Sequence, residues 1–191
     1  MKEIFCHSTA VIDEGAKIGN GSKVWHFSHI MSQAEVGENC NIGQNVFIAN
    51  NVKIGNGVKI QNNVSLYMGV VCEDDVFLGP SCVFTNVINP RSFIERKNEY
   101  KPTLIKKGAS IGANATIVCG CIVGKFALIG AGCVIRENVE NYACMSGNPA
   151  KKIGYVGEFG HRLIFNANNI AIEKESNYTY LLTTQGVVRI H

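Results

Sequence analysis

The sequence predicts an all-β protein, a parallel β-helix wound from six-residue units, and three observations predict it. A large buried-type residue returns at every sixth position from Ile12 to Phe84, through Ile18, Val24, Ile30, Val36, Ile42, Ile48, Ile54, Ile60, Leu66, Cys72 and Leu78. A second, smaller series lies four residues further on, in Ala16, Ser22, Ser28, Ala34, Cys40, Val46, Val52, Val58, Val64, Val70, Val76 and Cys82. Turn-forming residues crowd the slots after the large residue, as in Gly19-Asn20-Gly21, Gly55-Asn56-Gly57 and Glu73-Asp74-Asp75. Neither a helix with a period of 3.6 nor a half-buried strand with a period of 2 sustains a strict period of six. A stack of short strands with bends between them does.

Six residues of extended chain cover about 20 Å. If each unit ends in a bend, three units close a triangular coil and residue n stacks on residue n+18. Glycine follows the large residue at Gly19, Gly37, Gly43, Gly55, Gly79, Gly112, Gly124 and Gly130, and there it is expected to supply the tight or positive-φ backbone of a corner. Asn and Asp beside it fit the same turn chemistry. The small series fills the interior where three faces converge. The handedness of the coil does not follow from the period.

Both series return later, as Ile105, Ile111, Ile117, Val123, Ile129 and Ile135, and as Ala109, Ala115, Cys121, Ala127, Cys133 and Val139. The step from Phe84 to Ile105 is 21 residues, which is not a multiple of six. Residues 86–104 therefore form a loop extruded from the coil, with Arg91, Arg96, Lys97 and Lys101 set against Glu95 and Glu99. Long loops inside compact domains are uncommon and usually functional. Past Val139 the chain leaves the coil through 146–151, and beyond Tyr155 the period is lost. Segments 177–182 and 184–190 read as two strands around a Gly turn, a short β tail expected to cap the open end of the coil. The partition is thus a repeat domain over 1–155 and a capping tail over 156–191.

Composition narrows the function. A net charge of +3 on 191 residues with no aromatic-basic stripe argues against a nucleic-acid partner. No apolar run reaches membrane-spanning length and the start Met1-Lys2-Glu3-Ile4 lacks a signal-peptide core, so no membrane partner and a cytoplasmic location are expected. Of the eight cysteines, Cys40, Cys72, Cys82, Cys121 and Cys133 fall on inward registers and read as small reduced core residues. Cys119-Gly120-Cys121 lacks the spacing and partners of a zinc or redox site, so no metal is expected.

Stacking at 18 residues sorts the outward side chains. His26, Gln44 and Asn62 form one column, and Ser32, Asn50, Met68 and Asn86 another on an adjacent face. Of the five histidines, the cluster Trp25-His26-Phe27-Ser28-His29 is the only one on the coil, and it suits either catalysis or the packing of an interface.

The hexads, the loop 84–97, the segment 108–117 and Gly147-Asn148-Pro149-Ala150-Lys151 resemble the hexapeptide-repeat acyltransferases. Within that superfamily they are similar to the sugar-nucleotide 3-N-acetyltransferases acting on UDP-linked 3-amino hexuronates or dTDP-linked 3-amino-dideoxyhexoses. The resemblance covers residues 7 to about 156. It implies a left-handed β-helix, a homotrimer with active sites between subunits, acetyl-CoA as cosubstrate, and a nucleotide-linked amino sugar as acceptor on the way to a surface polysaccharide such as O-antigen. It places Asn86 where the 3-amino group is held and points to His26 as a candidate base. An amide orients an amine but cannot deprotonate it, and His26, water and the departing thiolate all remain as proton acceptors.

Phosphates need cations. Arg91, Arg96 and Lys97 are candidates for the sugar nucleotide or its carboxylate, with Gln44 and Asn62 as further substrate contacts. For acetyl-CoA, Gly112, Ala113, Gly130 and Ala131 allow close approach of the pantetheine arm, and Lys106, Lys107, Arg136, Lys151 and Lys152 are candidates for its phosphates. O-acetylation or 4-amino-sugar acetylation are the neighbouring readings, and a non-catalytic β-helix scaffold is the reading of another class.

Overall fold

The structure, a computed structural model, describes residues 3–191. Each large residue of the series from Ile12 to Phe84 ends a short strand, Val11–Ile12 being followed by Lys17–Ile18, Lys23–Val24 and so on to Val83–Phe84. The strands stack into three faces of nine, seven and six strands, parallel except for the last strand of the first face. The first face begins at Phe5–Cys6, the second at Val11–Ile12 and the third at Lys17–Ile18. Registers step by 18, as in Lys23 on Asn41 and Asn41 on Lys59. The result is an all-β parallel β-helix with a β tail, as the period requires.

Inside, Ile30, Ile42, Ile48, Ile60, Leu66, Leu78, Ile111 and Ile117 are fully buried. Each such side chain removed from water contributes about 1.5–3 kcal/mol before entropy. Polar members of the small series stay satisfied by bridging turns of the coil. The Ser28 hydroxyl donates to the Gly43 carbonyl at 2.7 Å and accepts the Val46 N–H at 3.1 Å, and Ser22 does the same with Gly37 and Cys40. The inward cysteines are buried free thiols, and burial pushes the Cys82 thiol up to about 12.

The glycines do a different job from the one expected. Those after the large residue do not have positive φ. That conformation falls two residues later, at Gly15, Gly21, Phe27, Gln33, Asn39, Asn45, Asn51, Gly57, Asn63 and their successors. What the glycines supply is room: a Cβ on Gly37 would lie 2.6 Å from the backbone of Gly55, and one on Gly112 would lie 2.5 Å from the Ala131 nitrogen. Successive corners are stacked backbone on backbone there.

Across the loop the register steps by 33 instead of 18, with Phe77 on Ser110 and Val83 on Thr116, an insertion of 15 residues. The coil resumes with the strand Thr103–Ile105, so the loop proper ends at Pro102, two residues earlier than expected. Its neck is closed by the Lys101 N–H donating to the Asn86 carbonyl at 2.9 Å.

The last turn is shortened. Val139 bridges Val123 and Met145 lies on Ile129, each 16 residues apart, so Val139 stands on the large-residue register and not the small one. Residues 139–155 then occupy the end of all three faces. Lys151–Tyr155 pairs antiparallel with Ala143–Ser146 on the first face, the Ala150 N–H donates to Val134 on the second, and Val139 sits on the third. The tail forms three antiparallel strands, Ile170–Ile172, Thr179–Thr183 and Gly186–Arg189. It has its own small core of Leu163, Ala171, Tyr180 and Val187, joined to Phe126 and Tyr142, the positive-φ residues of the third corner. No helix among the described residues is long and apolar enough to cross a membrane.

Candidate active site

Three corners run the length of the coil, and each candidate residue belongs to one of them. Along the first corner, between the first and second faces, backbone bonds chain the column together. The Asn45 N–H donates to His26 O, Asn63 to Gln44 O, Ser81 to Asn62 O, Asn114 to Pro80 O and Gly132 to Ala113 O. His26, Gln44, Asn62, Pro80, Ala113 and Ala131 thus form one continuous strip, amide-rich toward the N-terminal end and bare of long side chains past Asn62.

At the N-terminal part of this strip, Trp25, His26, Asn41, Gly43, Gln44, Gln61 and Asn62 line a cleft of about 210 Å³. The Trp25 indole N–H donates to Asn41 Oδ1 at 2.9 Å, and Asn62 Oδ1 accepts the Gln44 N–H at 2.9 Å, which leaves both amide NH₂ groups free to donate. His26 is half-buried, and its ring is stacked on that of His7 with centroids 3.5 Å apart. His7 lay outside the sequence-based candidates because it precedes Ile12. The signal for it was Cys6, which extends the six-residue series back by one unit.

The second corner, between the second and third faces, carries the other column. Asn50 donates to Ser32 at 3.3 Å, and Asn86 stands half-buried where the loop departs. Arg91, Arg96 and Lys97 line a cleft of about 240 Å³ in the loop, together with Val87, Pro90, Ile94, Glu95 and Tyr100. Arg96 pairs with Glu99 at 2.7 Å and Lys97 with Glu95 at 3.5 Å, while Arg91 donates to the Pro90 carbonyl at 2.9 Å. The Arg96 Nε is buried without a hydrogen-bond partner among the described residues. Arg136, at the C-terminal end of this corner, lines a third cleft of about 340 Å³ with Glu137, Met145, Pro149 and Ala150.

The structure therefore brings His26, Gln44 and Asn62 together, and Asn86 together with the basic loop, but it places the two groups on different corners of one chain. Of the residues expected to meet acetyl-CoA, Gly112, Ala113, Gly130 and Ala131 lie on the first corner. Lys106 lies instead on the third, with its N–H on Val123 O. Lys152 is occupied there too: its Nζ contacts both Glu140 carboxylate oxygens and the Tyr155 hydroxyl at 2.9 Å. These bonds raise the Lys152 pKa, through Tyr155 first and then Glu140, and hold the Glu140 carboxyl below its usual range. Lys151 is exposed beside it. No three His, Cys, Asp or Glu side chains among the described residues converge as a metal site would need.

Between the first and second corners lies the second face, whose outward column reads Val11, His29, Phe47, Ser65, Val83, Thr116, Val134. Val11 is 55% and Val83 48% exposed. His29 contacts Asp13 at 3.0 Å and meets the Phe47 ring edge-on. Both candidate columns border this apolar face.

Comparison with known proteins agrees with the coil. The family model described as bacterial transferase hexapeptide (six repeats) matches residues 15–50 and 102–137, and that of the hexapeptide repeat of succinyl-transferase matches 33–68. Over 78 residues the chain is 44% identical to dTDP-3-amino-3,6-dideoxy-alpha-D-galactopyranose 3-N-acetyltransferase of Aneurinibacillus thermoaerophilus, 41% of each chain being covered. Over 84 residues it is 36% identical to a 2,3,4,5-tetrahydropyridine-2,6-dicarboxylate N-acetyltransferase of Staphylococcus aureus, covering 44% of this chain and 32% of that one. The matched stretches thus span less than half the length of these curated relatives. Among solved structures, the N-acyltransferase AntD from Bacillus cereus, in complex with dTDP and 3-hydroxybutyryl-CoA, superposes with a TM-score of 0.53 at 16% identity, covering 80% of this chain and 79% of that one. That likeness is one of fold, and it agrees with the left-handed β-helix that the resemblance implies. The chain carries the hexapeptide repeat of bacterial transferases, wound as a parallel β-helix, and over the matched stretch it resembles a dTDP-3-amino-sugar 3-N-acetyltransferase.

Proposed function

We propose that this protein transfers an acetyl group from acetyl-CoA to the 3-amino group of a nucleotide-linked 3-amino-dideoxyhexose or hexuronate. The observation that carries the reading is the first-corner strip, in which an amide and imidazole cleft runs on into Pro80, Ala113 and Ala131. Past the cleft the strip carries only methyl and pyrrolidine side chains, which suits an extended thioester arm lying against backbone. The 44% identity to a dTDP-3-amino-sugar 3-N-acetyltransferase supports the choice of acceptor.

Acetyl-CoA supplies an acetyl carbon activated as a thioester. The amine nitrogen attacks that carbon, the C–N bond forms, the C–S bond breaks and CoA leaves as the thiol. The amine must arrive neutral, be aimed and give up a proton. Asn86 aims it by accepting an N–H, and His26 takes the proton and passes it to the departing thiolate. Arg91, Arg96 and Lys97 hold the diphosphate or the sugar carboxylate, while Gln44 and Asn62 contact the sugar. Arg136 and Lys151 meet the phosphates of acetyl-CoA, and Lys152 braces the end hairpin through Glu140. The assembly is a homotrimer whose copies meet through the apolar second face. One copy's first corner then faces the next copy's second corner, so that His26 and Asn86 from different copies share a cleft. The product feeds a surface polysaccharide and the enzyme works in the cytoplasm. The repeat domain over 1–155 carries the site, and the tail over 156–191 braces the third corner at the C-terminal end of the coil.

Thiol release from acetyl-CoA with a panel of dTDP- and UDP-linked 3-amino and 4-amino sugars tests this directly. Release is expected with a 3-amino sugar, and turnover should fall by about tenfold or more in His26→Ala, since general-base catalysis is worth at least that. Thiol release with none of the amino sugars would instead favour a scaffold.

A further inference from the structure

The first turn of the coil holds a side-chain arrangement that the proposed reaction does not use. The His7 ring lies on the His26 ring, centroids 3.5 Å apart and planes 26° apart. His7 Nδ1 accepts the backbone N–H of Thr9 at 3.2 Å and lies 3.0 Å from the Thr9 hydroxyl. An N–H can only donate, so Nδ1 bears the lone pair, and the ring proton of His7 is on Nε2. The Thr9 oxygen also accepts the Phe27 N–H at 3.1 Å, and its own hydrogen is directed to His7.

Phe27 is the residue after His26, and its φ of 57° is one that side chains with a Cβ avoid. Its ring is 61% exposed, so no burial of that ring accounts for the conformation. Such strain persists only where the surroundings over-determine it. Here the corner of the coil sets the φ, as in the same slot of other turns, and the Thr9 hydroxyl, by accepting the Phe27 N–H, ties the peptide following His26 to the residue that anchors the His7 ring.

We infer that His7 is a positioning residue: anchored by Thr9, its ring holds the His26 imidazole in one orientation at the head of the cleft lined by Gln44 and Asn62. The inference rests on the reading that His26 acts in that cleft.

Turnover and NMR of the full-length protein test it. His7→Ala is expected to lower kcat about fivefold or more while the KM for acetyl-CoA stays within about twofold. His7→Phe, which keeps a flat ring, should restore kcat to within about twofold of the unmodified protein. The double variant His7→Ala/His26→Ala should be no slower than His26→Ala, as expected for residues acting as a unit. Nitrogen-15 imidazole spectra should show His7 Nδ1 unprotonated, and His7→Ala should shift the His26 ring protons. A kcat within twofold for His7→Ala, where His26→Ala costs tenfold, overturns the inference. So does a proton on His7 Nδ1. If His26→Ala keeps full turnover, the reading of His26 as base falls, and the ring spectra still decide the positioning: unmoved His26 resonances in His7→Ala overturn it, and shifted ones support it.

Discussion

Gly37 and Gly132 occupy different slots of the same repeat, and the sequence gives both the same letter. Gly37 sits where a Cβ would lie 2.6 Å from the backbone of the next turn, whereas Gly132 has φ of 69° and open space around the Cβ position. Overpacking against backbone cannot be relieved by a rotamer change and costs about 1–3 kcal/mol or more. Placing a Cβ at positive φ costs roughly 1–2 kcal/mol. Gly37→Ala should therefore lower stability by about 3 kcal/mol and Gly132→Ala by about 1 kcal/mol, as read from urea midpoints at constant m. A loss at Gly37→Ala no larger than that at Gly132→Ala would show that the stacked corner shifts to admit the Cβ, and that close backbone approach does not select glycine there. The inward series was legible because burial repeats every six residues. The positive-φ slot was less so. Asn39, Asn45, Asn51, Asn63 and Asn114 mark it, since Asn tolerates that region, but Phe27, Phe126 and Tyr142 fill the same slot and carry no such signal.

Among elements, the end hairpin and the tail depend on ionisable side chains of opposite tendency. Tyr142 is pushed up to about 12, by burial first and then by the negative charge of Glu158, whose carboxylate accepts its hydroxyl at 3.1 Å. The Tyr180 phenol is raised as well, again by burial first, while its oxygen accepts the Glu158 N–H and its hydroxyl donates to Glu173. A raised pKa adds stability that is complete below the ordinary phenol value near 10 and is lost as pH rises through the folded value. Lys152, also raised, weakens on the same side. Glu140 is lowered, so its contribution is present above the ordinary carboxylate range and is lost as pH falls through the folded value. In an absorbance titration at 295 nm, two of the six tyrosines should ionise late, with their release coinciding with exposure of the tail. Simultaneous titration of all six would mean that the tail is undocked in solution. Two strands of that tail were legible from alternating residues around a Gly turn. The strand Ile170–Ile172 was not, because its three residues lack a turn signal of their own, and it is placed only by pairing with Thr179–Thr183.

For the whole molecule, the break in the period marks where the chain leaves the coil, and it does not say what would complete a site there. From the sequence, His26 and Asn86 fall in separate columns, and the structure keeps them on separate corners that flank the apolar second face. Closed symmetry about that face would bring unlike corners together, as a heterologous ring contact does. In trimers assembled at random from equal amounts of His26→Ala and Asn86→Ala chains, a shared cleft is intact when the Asn86→Ala copy supplies the first corner and the His26→Ala copy the second. That arrangement occurs at roughly one site in four. Co-expression followed by purification through a different tag on each chain discards the homotrimers and leaves one intact cleft in each mixed trimer, so these assemblies should regain about a third of the thiol-release rate of the unmodified protein, while each variant alone stays near its own residual rate. Within a single chain no mixing can rebuild the pair. A mixed preparation no faster than the average of its parents would confine the chemistry to one copy and leave the second face a packing surface only.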